Sequence, residues 1–240
     1  SWIQSLHHRD PATYRLIWGS PIVVLMVIAF GSISFVTYAT TFWIPHYMEE
    51  HFYAGALSPA RYMGGMTAKE EIGFIVGWTA AFSAAAGVIL GGYLSDRWRQ
   101  HDPRGRLFVN MLSASLPIPI VAFLLTTDNL AAFYIVNPIA HLIASAWVGA
   151  AVATLQDVVL PRMRATAGAT YILGTTMVGL ALGPYFAGKV SVLSGSLKIG
   201  IAALYLMPLF TLTALWIASR RIAELEATRE LRAGEAAAAG

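Results

Sequence analysis

An all-α membrane protein of six spans is the fold class this sequence predicts, and three observations carry it. The chain of 240 residues is 57% hydrophobic and only 12% charged, with a mean hydropathy of +0.61, whereas a soluble domain carries about 25% charged residues. Six apolar stretches are each long enough to cross a hydrocarbon layer of about 30 Å, which takes about 20 helical residues. The alternating segments of about ten residues that mark a membrane barrel are missing. In lipid every backbone N–H and C=O must find a partner within the protein, so a chain that closes no barrel crosses as helices.

The first stretch, 17–44, carries Ser34, Thr37, Tyr38 and Thr41 at helical spacing, a polar stripe on one face. A loop is expected over 46–71, with Glu49, Glu50, Glu70 and Glu71. The second stretch, 72–94, sets Gly73, Gly77, Ala80, Ala84, Gly87 and Gly91 at steps of three and four. A face of small residues admits another helix at close range. It serves either tight packing alone or a surface that slides as a transporter rocks. The third stretch is 107–125. In the fourth, 130–160, Asn137, His141 and Ser145 share a face, and Pro138, which has no N–H, leaves a backbone carbonyl free beside them. Ionisable groups at membrane depth are costly and count as functional candidates. His141 is the one well inside a span; contact with a substrate cavity and a hydrogen bond to a neighbouring helix are both open to it. The fifth stretch, 165–190, adds Tyr171 and Thr175 as a short third stripe, then Gly179 and Gly183 before Pro184. The sixth is 199–218, and 222–240 reads as a charged helix running into an Ala-rich tail.

The formal charge of +3 could suggest nucleic acid, but the basic residues cluster between apolar runs, where the membrane explains them and no nucleic-acid partner is expected. Twelve of the 16 Lys and Arg fall on the side of the N-terminal lead, the joints after spans two and four, and the tail; Arg61, Lys69, Lys189 and Lys198 fall on the other. The excess places both termini in the cytoplasm. With no cysteine there is no disulfide, thiolate metal site or cysteine nucleophile, and no cofactor or metal is expected. The first residue, which is not Met, is expected to be an internal position of a longer chain.

The joint after span two runs Gly91-Gly92-Tyr93-Leu94-Ser95-Asp96-Arg97 and on to Arg104-Gly105-Arg106. Gly92, Asp96, Arg97, Arg104 and Arg106 resemble, with several extra residues, the G-x-x-x-D-R-x-G-R-R cytoplasmic loop of the major facilitator superfamily, which lies between the second and third helices of each six-helix half. The joint after span four, Pro161-Arg162-Met163-Arg164-Ala165-Thr166-Ala167-Gly168, is similar to the family's P-x-x-R-G-x-A-x-G joint. Residues 155–168, 171–174 and 179–184 look like the bacterial spinster-like branch. The resemblance implies a transporter rather than an enzyme, built as two three-helix inverted repeats. Spans one, four and five would line its substrate path with Ser34, Tyr38, Thr41, Asn137, His141, Ser145, Tyr171 and Thr175. Asp96 would brace the cytoplasmic side, and Asp157 would be a second carboxylate for Arg97, Arg162 or Arg164; a solvated topology signal is the plainer reading of the same charges. The stretched loop, the N-terminal lead and the charged tail resemble a C-terminal half, with 1–15 as linker from an N-terminal six-helix half, 16–220 as bundle and 221–240 as cytoplasmic tail. Gly179-x-x-x-Gly183-Pro184 points the other way, since it resembles an antiporter signature of N-terminal halves. The expected setting is a bacterial inner membrane, and the expected substrate a small molecule or lipid.

Two other six-span designs fit less well. An intramembrane serine protease needs a Gly-x-Ser-Gly turn, which Gly31-Ser32-Ile33-Ser34-Phe35 does not supply. An aquaporin-like channel needs two Asn-Pro-Ala turns, and Asn137-Pro138-Ile139 occurs once. Sugar, drug and organic-acid carriers remain open within the resemblance.

Overall fold

The computed structural model describes residues 21–158 and 164–221, with the side chains of 21–23, 155–158, 164–167, 170 and 178 left out. The expected linker 1–15 and the tail from 222 lie outside these residues. Six helical spans result, at Val24–Phe52, Ala68–Arg99, Gly105–Leu124, Leu130–Thr154, Tyr171–Ser194 and Leu197–Arg221, each long and apolar enough to cross a membrane.

Span one is a single helix, α1 (Pro21–Phe52), which continues through Pro45. It outruns the apolar stretch that ends at 44 because Tyr47, Met48 and Phe52 are buried, and burial repays the hydrogen bond that Pro45 cannot donate. Span two, α2 (Ala68–Arg99), starts at a capping box: Thr67 accepts from Glu70 N–H while the Glu70 carboxylate accepts from Thr67 N–H. The connecting loop is therefore 53–67 rather than the expected 46–71, because both flanking helices extend into it.

Four later spans are broken, three of them beside a proline. Span three divides into α3 (Gly105–Ser115) and α4 (Pro117–Leu124), since Pro117 has no N–H for the Ser113 carbonyl. Span four divides at Ala146 into α5 (Leu130–Ser145), capped by the Asn129 side chain, and α6 (Trp147–Val158). Span five runs as α7 (Arg164–Thr176), a π-helical segment (Met177–Leu182) and α8 (Gly183–Ser194). The widened turns end just before Pro184, and Gly195, at φ 70°, closes α8 in the left-handed conformation. Span six, α9 (Leu197–Leu204) and α10 (207–221), breaks ahead of Pro208.

Two apolar clusters hold the spans at opposite ends. At the Asp96 end, Phe30 stacks on Trp147 at 5.8 Å and meets Tyr171 edge-on at 5.7 Å. At the other end Ile44, Tyr47, Phe52, Leu124, Phe133 and Ile201 pack together. Coverage is uneven: half of span one is buried, but only 17% of span two and 18% of span five. Those two spans keep an open side.

Candidate gate, crossing and cavity

Spans two and four meet backbone to backbone. A Cβ on Gly87 would strike the Leu142 carbonyl oxygen and one on Gly91 that of Ala146, so only glycine permits this crossing. Gly73 and Gly77, higher on the same small-residue face, meet nothing within 4 Å. They floor an open groove with Phe74 and Trp78 on its walls. The face read from the sequence is thus divided between an internal crossing and an unfilled one.

Spans one and five form the second close crossing. A Cβ on Gly179 would fall 2.7 Å from Ser34 Cβ and 2.8 Å from Tyr38 Cδ2, and one on Gly183 would strike the Phe35 carbonyl oxygen. Trp43 Nε1 donates to the Pro184 carbonyl oxygen at 2.9 Å, and the π-helical segment lies over this contact. Single π turns inside α-helices recur at functional sites because they shift the register of one helix on another.

At the Asp96 end, Arg106 in the first turn of α3 reaches back to the last turn of α2. Its Nη2 lies 2.7 Å and its Nε 3.2 Å from Asp96 Oδ1. This explains a carboxylate at a helix C-terminus, where the macrodipole disfavours it. The joint is tightly folded: Asp102 Oδ1 accepts from Arg104 N–H at 2.8 Å, and a Cβ on Gly105 would fall 2.6 Å from the Trp98 backbone carbon. Arg97 is exposed beside the pair. Gly92 meets nothing within 4 Å, although Gly149 of span four approaches its backbone. Arg162 lies outside the described residues, as do the side chains of Asp157 and Arg164.

The residues expected to line a substrate path fall in three places. Asn137 and His141 line a cavity of about 40 Å³ inside the bundle, between spans one, three, four and six. Span one presents Thr37 and Thr40 to it, not Ser34, Tyr38 or Thr41. Asn137 is 3% exposed and its Nδ2 has no hydrogen-bond partner; the volume exceeds the roughly 10–15 Å³ that one water needs. Ser145 turns back onto the His141 carbonyl at 2.6 Å. Tyr171 is packed on Phe30, and Thr175 donates to the Tyr171 carbonyl at 2.9 Å. Ser34 is buried at the crossing with span five, whereas Tyr38 and Thr41 are exposed on the open side.

The family profile described as Major Facilitator Superfamily matches residues 3–184. The chain belongs to the Major Facilitator Superfamily. It is 28% identical over 160 residues to an MFS-type efflux pump of Mycolicibacterium smegmatis (strain ATCC 700084 / mc(2)155), covering 63% of this chain and 37% of the pump. It is 28% identical over 170 residues to protein spinster homolog 3 of Mus musculus, covering 70% of this chain and 33% of that protein. Its fold matches the inward-facing, occupied crystal structure of a bacterial homolog to the human lysosomal transporter Spinster, with a TM-score of 0.67 and 19% identity over 89% of this chain and 52% of that one. The chain therefore spans about a third of the length of these curated relatives and about half of the solved structure. It is an integral membrane protein of a transporter superfamily with spinster homologues among its relatives.

Sequence reasoning passed over one residue of this superfamily chain, Glu71. Its single signal was a second acid beside Glu70, which read as loop charge. The structure buries Glu71 completely.

Proposed function

We propose that the chain is the C-terminal six-helix half of a secondary active transporter that works by alternating access against an N-terminal six-helix half. The observation that carries this reading is the Asp96–Arg106 pair, which ties the end of span two to the start of span three at the place of the superfamily's cytoplasmic loop. The open sides of spans two and five supply surface for the second half, and the Gly73–Gly77 groove is a seat for one of its helices. Tyr38 and Thr41 support a water-filled path along span one, since hydroxyls exposed on a membrane helix are poorly placed against lipid. The excess of basic residues on the Asp96 face supports cytoplasmic termini, a linker over 1–15 and a tail over 221–240, in a bacterial inner membrane.

The proposed substrate is a lipid or amphipathic organic anion, a reading supported by the likeness to spinster homologues. The likeness to an efflux pump favours a drug-like amphiphile as the second reading. Proteoliposomes of the full-length transporter, given labelled lysophosphatidylcholine with ethidium as competitor, separate the two. Saturable lysophospholipid uptake that ethidium leaves unchanged supports the first, and saturable ethidium transport alone supports the second.

The division between wall and interior gives a further prediction. Thr41→Ala is expected to raise the apparent KM for the transported probe by about tenfold, equivalent to about 1.4 kcal/mol, with an unchanged melting temperature, since Thr41 is exposed. Asn137→Leu, which removes a buried amide nitrogen without a hydrogen-bond partner, is expected to change the melting temperature and leave KM alone. The reverse pattern would put the substrate in the inner cavity beside His141.

A further inference from the structure

Glu71 stands in the first turn of α2, fully buried, and its carboxylate gathers donors from three other parts of the chain. Oε2 accepts the backbone N–H of Tyr62 at 2.7 Å and of Met63 at 2.8 Å. Oε1 accepts the hydroxyl of Tyr53, just beyond α1, and that of Tyr134 in α5 at 3.3 Å. None of the ion pairs among the described residues includes Glu71; the Arg61 guanidinium lies instead over the Tyr53 ring, 5.3 Å from its centre, and donates to the Phe52 carbonyl. Burial, with the hydrogen bond to Glu71 next, pushes the Tyr53 hydroxyl up to about 12, so it stays a donor.

A buried carboxylate without a direct counter-ion is a poor source of stability, because several kcal/mol of lost hydration must be made up by donors in fixed positions. Its gain is geometric: four donors that must converge on two oxygens fix the elements bearing them. The loop they hold is itself folded, with Ala68 N–H on the Ser58 carbonyl at 2.7 Å and Ala60 N–H on that of Met66 at 2.9 Å. Spans one, two and four are joined at this end. Among the described residues span five gives no donor to this carboxylate; it meets span one through Gly179, its π-helical segment and the Trp43–Pro184 hydrogen bond.

We infer that Glu71 is a positioning residue for transport, whose carboxylate latches the 53–67 loop across the ends of spans one, two and four so that these ends move as one body. This rests on the alternating-access reading. The test uses the full-length transporter in nanodiscs and two readouts. One is the rate of trypsin cleavage at Arg61, which is exposed in the latched loop and needs no transport. The other is the ratio of conformers reported by spin labels that span the two halves at the Asp96 end.

Glu71→Gln keeps the volume but turns an amide donor toward the converging donors, and Tyr134→Phe removes one donor from an otherwise unchanged frame. Glu71→Gln is expected to speed cleavage at Arg61 by about tenfold, or about 1.4 kcal/mol of loop opening, and to shift the conformer ratio severalfold; Tyr134→Phe is expected to do both to a smaller extent. Unchanged cleavage in both variants overturns the latch. Faster cleavage with an unchanged conformer ratio overturns the positioning role and leaves a structural loop anchor. If the parent shows a single conformer, the alternating-access reading fails, and the positioning role with it, while the cleavage rates judge the latch alone.

Discussion

Gly91→Ala is expected to lower the thermal stability of the full-length transporter sharply, with Gly87→Ala close behind. In both cases the new methyl falls on a carbonyl oxygen of span four, Ala146 for one and Leu142 for the other. A helix backbone cannot yield as the far end of a flexible side chain does, so spans two and four must separate. Overpacking of this kind costs about 1–3 kcal/mol per site. The two sites share one interface, so the double variant is expected to depart from additivity. Gly73→Ala, on the same face but with nothing within 4 Å in this half, is the comparison and is expected to lower the melting temperature less than either. Thermal unfolding in detergent, followed by tryptophan fluorescence, checks all four. Gly77→Leu extends the test to the proposed seat for the second half, where transport should slow without loss of stability in this half.

Asp96→Ala is expected to reduce transport by at least about tenfold, or about 1.4 kcal/mol of bias between conformers, with little change in melting temperature. The reasoning turns on exposure. The Asp96 side chain is 63% exposed, and an ion pair so close to solvent contributes about 0–1 kcal/mol to stability. A pair that exists in one conformer and not in the other acts instead on their ratio. Arg106→Ala should reproduce the loss, and exchange of the two charges (Asp96→Arg with Arg106→Asp) should restore part of it. Initial uptake rates in proteoliposomes, set beside melting temperatures, make the comparison. Equal falls in stability and transport would make the pair a structural brace.

The six spans were legible because hydrophobic length is a direct physical demand of the bilayer; the breaks were not, because a proline alone does not decide them: the helices run on through Pro45 and Pro138 and stop ahead of Pro117 and Pro208. The Asp96–Arg106 contact was legible only in part. A carboxylate at a helix C-terminus signals that a cation is needed, but Arg97, Arg104 and Arg106 all satisfy that demand, and the fold of the joint around Gly105 selects Arg106. Periodicity placed Ser34, Tyr38 and Thr41 on one stripe. It could not say that Gly179 of span five would cover Ser34 and one edge of the Tyr38 ring and leave Thr41 open, since that depends on where another helix crosses. Glu71 was hidden for the same reason, because its donors come from residues 9, 8, 18 and 63 positions away, beyond any local pattern.

The central claim, that this half rocks against another around a fixed site, is tested most directly by distance. Spin labels at Leu57→Cys and Trp98→Cys occupy exposed positions near opposite ends of the bundle, and the absence of native cysteine keeps this half free of background labelling. Each is paired with a label at the same end of the second half in the full-length transporter, and distance distributions are recorded in nanodiscs. Alternating access predicts two populations at each end, with the shorter distance at one end accompanying the longer at the other, and a shift of both populations in Asp96→Ala. A single unchanging distance at both ends, in the parent and in Asp96→Ala alike, would contradict it.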